Sequence, residues 1–177
     1  MTLAYLDECG FAPSQPLNYS WVAAGTRKRV PYENPRGRRV NALGILIADG
    51  PHPQLLWERE PRSLTSQDLL AAVQSVPNPT GRLMVVMDNG SIHVSRVIKE
   101  ALPDLRQQGI EFYYLPTYSP ELNAIERVFG GMKAHDLPER SYVTVPALLD
   151  AVDAAFTAAE ARLLTRCESE HVLRSAA

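Results

Sequence analysis

At 177 residues, 45% hydrophobic and 21% charged, the chain has the length and composition of one domain with a sizeable core, which excludes a disordered, fibrous or low-complexity protein. Cys9 and Cys167 lie far apart and make no zinc-ligand spacing, and no stretch approaches the roughly 18 apolar residues of a membrane span. The net charge of −2 is unevenly spread: between residues 27 and 39, Arg27, Lys28, Arg29, Arg36, Arg38 and Arg39 face only Glu33, so that segment carries +5 and the remainder −7.

In chain order, residues 3–7 (LAYLD) form the first expected strand. Its alternation puts Leu3, Tyr5 and Asp7 on one face and Ala4 and Leu6 on the other, so Glu8 points away from Asp7 and is not expected to be a ligand. A proline- and serine-rich loop leads to strands expected over 21–24 and 40–48, with the basic segment between them. Concentrated positive charge suits phosphate contacts, although a solvated hairpin tip accounts for it equally well. Asp49, Gly50 and Pro51 make a turn before a strand at 54–60, and Ser66 is the expected cap of a helix carrying Leu69, Leu70 and Val73 that ends before Pro77.

Residues 83–87 (LMVVM) are apolar throughout, as in a strand buried on both faces of a parallel sheet. Asp88 and Asn89 follow at its carboxyl end, where open α/β sheets bind ligands. A short helix over 95–102 stops near Pro103, and 110–115 form a further strand. Ser119, with Pro120 at the first helical position, then opens a helix whose Leu122, Ile125, Phe129 and Met132 recur every three or four residues. At about 100° per residue these four lie within roughly 60° of Ile125, whereas Glu126 lies near 100°, on the rim of the buried face. A last helix starts around Thr144 and Pro146 and runs to about Thr165, completing a single α/β domain.

Asp7, Asp88 and Glu126 thus occupy positions unlike those of scattered surface acids. If the first strand and the all-apolar strand are neighbours, Asp7 and Asp88 converge, and the Ser119 helix can bring Glu126 across the same edge. Three converging carboxylates repel unless they share cations. Hard ions with oxygen ligands, Mg²⁺ above all, are the matching partners. Two such ions would activate an attacking water or 3′-hydroxyl and stabilise the leaving oxygen of a phosphodiester. The competing account is three unrelated acids at strand and helix ends.

The segments YLDECGF around Asp7, VVMDNGSIHVS around Asp88 and LPTYSPELNAIERVF around Glu126 together resemble the catalytic domain of DDE transposases, specifically the mariner-like group of bacterial insertion sequences. The resemblance spans residues 3 to about 165, and the 37 residues between Asp88 and Glu126 are similar to that family's spacing. It implies a ribonuclease H-like fold, with a mixed sheet flanked by helices, and an enzyme that cuts and joins DNA at transposon ends with Mg²⁺ or Mn²⁺. By position it makes Asp7, Asp88 and Glu126 the ligands of two metal ions. Asn89 would shape the turn, and His93 would touch DNA or orient a neighbouring group, unless it only caps local backbone. Ser119 and Asn123 would set the helix start, whose positive end can face a phosphate. Arg127, Lys133 and the basic segment are candidate DNA contacts.

The resemblance also has departures. Ala124 stands where proline is common and Phe129 where tryptophan is, and the helix-turn-helix region usual ahead of the catalytic domain is not found before Asp7. The expectation is therefore a catalytic core acting on DNA, as a homodimer and with a separate DNA-binding subunit or full-length transposase, in the cytoplasm at the nucleoid and away from membranes. A catalytically idle domain that regulates a full-length transposase is the alternative, and a structure-specific nuclease or ribonuclease H on the same fold is a third.

Overall fold

The computed structural model describes residues 1–14, 22–27, 29, 36–48, 53–78, 80–137 and 141–175, with side chains through residue 165. Five strands form one sheet: β1 (Thr2–Phe11), β2 (Val40–Ile47), β3 (Gln54–Glu60), β4 (Leu83–Met87) and β5 (Ile110–Tyr114), in the order β3-β2-β1-β4-β5. The first three pair antiparallel, whereas β4 and β5 join parallel to β1 and to each other through helical crossovers. Tyr5 pairs with Val86 at the end of the β1–β4 ladder. Asp7 and Asp88 each follow that pair by two residues, so both arrive at one edge of the sheet.

Alternation along β1 divides its side chains between two cores. Ala4 and Leu6 pack with Leu69 and Val73 of α1 (Ser66–Ser75) and with Ile98 and Leu105 of α2 (Arg96–Gln107). Cys9 and Phe11 pack on the opposite face, with Ile125 and Phe129 of α3 (Ala124–Gly131) and with Val152 and Phe156 of α4 (Val145–Ser175). Phe156 is stacked on Trp57 with ring centroids 5.2 Å apart and meets Phe11 and Phe129 edge-on. Each such fully buried side chain contributes roughly 1.5–3 kcal/mol. Arg59 and Asp153 pair at 2.6 Å and fasten β3 to α4. Among the described residues no helix is long and apolar enough to cross a membrane.

Several elements differ from the sequence-based expectation, each for a local reason. Thr65, rather than Ser66, caps α1, because Asp68 completes a capping box with it. Helix α2 continues through Pro103 to Gln107 instead of stopping there; its buried Ile98 and Leu105 anchor both halves against the sheet. The helix expected from Ser119 to Met132 is three pieces: a 3₁₀ turn over Pro120–Leu122, α3, and a π-helical turn over Met132–Asp136. Leu122 is consequently 51% exposed, off the apolar face, while Ile125, Phe129 and Met132 are buried. No strand forms at residues 22–24, and Trp21, the turn at 49–51 and Lys28 lie outside the described residues.

Gly44 of β2 lies opposite Asp7 and lets α3 approach the sheet closely: a Cβ there would sit 2.8 Å from Ile125 Cδ1 and 2.9 Å from the Phe129 ring. Gly44→Ala should therefore lower stability by about 1–3 kcal/mol as α3 is pushed outward. Thermal unfolding measures this, and an unchanged midpoint would contradict the close approach.

Candidate active site

Asp7, Asp88, Asn89, Ser119, Asn123 and Glu126 line one cavity of about 300 Å³ at the carboxyl end of β4. The three acids singled out in the sequence line this one cavity, although they come from a strand, a strand terminus and a helix. Each is held differently. Asp7 is only 9% exposed. Its Oδ1 accepts the Glu8 backbone N–H at 2.8 Å, and its Oδ2 accepts from Asn123 Nδ2 at 3.1 Å. Asp88 is 57% exposed; its Oδ1 accepts the Gly90 N–H at 2.8 Å. Glu126 lies in the first turn of α3 and is exposed on the cavity side, where the positive helix end favours a carboxylate.

These carboxylates crowd one another. Burial, the largest influence, raises the pKa of Asp7 to about 7; the Glu8 N–H opposes the rise, and the charges of Glu126, Asp88 and Glu8 add to it in that order. Near neutrality the site therefore binds a proton where an exposed aspartate would not, as expected of a place that lacks a compensating positive charge.

Asn123 proves to be a tie between elements. It is 1% exposed and makes no side-chain cap for α3; its Nδ2 donates to Leu6 O at 3.2 Å as well as to Asp7, locking the helix start to β1. Ser119 precedes the 3₁₀ turn without a side-chain capping bond. Asn89 Nδ2 donates to Leu115 O at 2.7 Å, which joins the ends of β4 and β5. Tyr118, in the loop rimming the cavity, has φ 60° and is 96% exposed.

His93 is fully buried and does more than cap backbone. Nδ1 lies 2.7 Å from Asp88 Oδ1, and Nε2 lies 2.8 Å from Glu8 Oε2, close but poorly aligned for a hydrogen bond. Burial favours the neutral ring, yet the Glu8 carboxylate and then Asp88 outweigh it and lift the pKa to about 9. One donor atom from each of Asp7, Asp88 and His93 falls within a 4.8 Å cluster. With a carboxylate against each ring nitrogen, however, His93 has no lone pair to offer a cation. Glu8 was set aside in the sequence because strand alternation turns it from Asp7; that direction is what carries it to His93.

The remaining candidates among the described residues do not line the cavity. Arg127 faces a groove between α3 and α4, and the Lys133 ammonium sits 5.7 Å over the Phe11 ring. Arg27, Arg29, Arg36 and Arg39 are exposed, and Arg38 donates to Val143 O at 2.9 Å.

A family model described as DDE superfamily endonuclease matches residues 2–149. A search of the curated proteins finds no match. Among solved structures, the chain is similar to the Mos1 strand transfer complex (TM-score 0.61, 18% identity, 94% of this chain and 52% of that one). It is also similar to the Mos1 transposase paired-end complex with the left transposon end (0.60, 18%, 94% and 53%) and to the Mos1 mariner paired end complex with Mn (0.59, 17%, 94% and 53%). Identities this low establish the fold, which is ribonuclease H-like, and the chain spans about half the length of those it matches.

Because the carboxyl group of Asp7 is harder to ionise folded than unfolded, the stability it gives is complete below pH about 4 and lost as pH rises through about 7. Asp7→Asn should accordingly stabilise the metal-free protein at pH 8, by on the order of 2 kcal/mol, and have little effect at pH 4. Denaturant unfolding at both pH values measures this; equal stability at pH 8 would contradict the buried, crowded carboxylate.

Proposed function

The chain belongs to the DDE superfamily endonucleases, and from that premise we propose that it is the catalytic core of a transposase that cuts DNA and joins it to a target. Asp7, Asp88 and Glu126 would hold the divalent metal, Mg²⁺ or Mn²⁺ and two ions in all. The observation that carries this reading is the single cavity lined by all three carboxylates, in which Asp7 is pushed towards protonation by burial first and then by the charges of the other two.

The donor set fits such a group. Carboxylate oxygens are what hard divalent ions prefer, no thiolate lines the cavity, and an added cation would relieve the repulsion that raises Asp7. When bound, the metal activates a water or 3′-hydroxyl and stabilises the leaving oxygen of a phosphodiester. The protein's own contribution is to fix the ligands beforehand: Glu8 N–H and Asn123 hold Asp7, Gly90 N–H and His93 hold Asp88, and α3 carries Glu126 against the sheet. Fixed ligands leave little to reorganise as charge develops on the phosphate.

DNA is the proposed substrate, as transposon ends and as target. Exposed Arg27, Arg29, Arg36 and Arg39, with Lys28, supply phosphate-binding charge, and Arg127 and Lys133 extend it along α3 and the following turn. That similar folds are solved as complexes with transposon ends and with Mn supports this reading. End recognition is assigned to a further region or subunit, and strand transfer to a homodimer.

Three outcomes test the proposal. Asp7→Asn, Asp88→Asn and Glu126→Gln should each weaken Mn²⁺ binding by calorimetry and lower DNA nicking by about 10²-fold or more. Wild-type affinity for Mn²⁺ should fall as pH drops below about 7, by about tenfold per unit while one proton is displaced. Variants that bind and cut like the wild type would instead favour a catalytically idle domain.

A further inference from the structure

Adjacent residues Asp7 and Glu8 leave β1 on opposite faces, yet both converge on Asp88. Asp7 shares the cavity with it, and Glu8 reaches it from behind through the imidazole of His93. We propose that Glu8 is a positioning residue: acting through His93, it fixes the Asp88 carboxylate so that one oxygen is held and the other is presented to the metal cavity. This deepens the metal reading above and rests on it.

The geometry divides the two Asp88 oxygens. Oδ1 is engaged twice, by the Gly90 N–H at 2.8 Å and by His93 Nδ1 at 2.7 Å, whereas Oδ2 takes no hydrogen bond among the described residues. Without these contacts a 57% exposed aspartate beyond the end of a strand would turn freely. The holding ring is itself immobile. His93 is 0% exposed, its N–H donates to Gly90 O at 2.9 Å, and its carbonyl accepts from the Tyr114 hydroxyl at 3.0 Å. One residue earlier, Ile92 O accepts from Ser66 Oγ at 2.8 Å.

There is no slack around the pair. A Cβ on Gly90 would lie 3.0 Å from Asp88 Oδ1 and 3.2 Å from His93 Nδ1, so the backbone wraps closely about the contact. Nε2, on the far side of the ring, has only the Glu8 carboxylate at 2.8 Å. Take that carboxylate away and the buried ring loses the ionic contact on its Nε2 side, a loss that favours rotation of the ring or its departure from Asp88. Neither Glu8 nor His93 lines the cavity, so their influence must pass through Asp88. Outer partners of this kind set ligand orientation and change metal affinity when removed.

The test compares Mn²⁺ affinity by calorimetry for wild type, Glu8→Ala, Glu8→Ser and Glu8→Gln, together with a crystal structure of whichever of Glu8→Ala and Glu8→Ser is the better folded. The first two variants should weaken Mn²⁺ binding about tenfold or more, and Glu8→Gln, which keeps an oxygen of the same reach beside Nε2 but not the charge, should recover part of the loss. In the crystal structure Asp88 Oδ1 should no longer lie within hydrogen-bonding distance of His93 Nδ1. An affinity within about twofold of wild type, less than 0.5 kcal/mol, would overturn the proposal. So would Glu8→Gln binding no better than Glu8→Ala, or an unmoved Asp88–His93 pair. Asp7→Asn in the same assay separates the two claims. If it leaves Mn²⁺ affinity unchanged, the metal reading falls, and the role of Glu8 is then judged on the Asp88–His93 contact alone.

Discussion

The parallel pairing of β1 with β4 is the constraint on which the site depends. Because Tyr5 pairs with Val86, the residues two beyond each, Asp7 and Asp88, arrive together at the sheet edge. A slip of one residue would turn one acid to the wrong face. The apolar run of β4 and the alternation of β1 both oppose such a slip, since Ala4, Leu6, Val85 and Met87 all pack in the same core. Core packing thus fixes the register, and the register brings two like charges together.

That convergence costs stability. Asp7 is nearly buried and faces Asp88 and Glu126 without a compensating cation among the described residues, which is why its carboxyl resists ionisation. The fold tolerates the strain because its two cores, one on each face of the sheet, are extensive and do not involve the acids. Among the described residues the positive charge beside Asp88 is that of His93, and that ring is turned to the rear, between Glu8 and Asp88. The cavity itself is left negative, as the proposed metal site requires.

Much of this was legible in the sequence. The five strands that form were all expected from the sequence, and the apolar repeat of Leu122, Ile125, Phe129 and Met132, of which all but Leu122 are buried, put Glu126 on its rim. What escaped were features decided by contacts distant in sequence. Asn123 reads as a helix-start residue, but its partners are Leu6 and Asp7, more than a hundred residues away. Glu8 was legible as pointing away from Asp7; that it meets a buried histidine depends on how the loop after β4 folds back. Likewise, Pro103 reads as a helix end, and only the packing of Leu105 shows why α2 continues past it.

The central claim is that the cavity at the carboxyl end of β4 is a divalent metal site built from Asp7, Asp88 and Glu126. The most direct test is a crystal of this chain soaked in Mn²⁺, with anomalous scattering used to find the ion. The account predicts a peak in the cavity with oxygens of all three side chains as ligands and His93 still paired with Glu8 behind it. A peak ligated by His93, or no peak near Asp7 and Asp88 with DNA also bound, would contradict it.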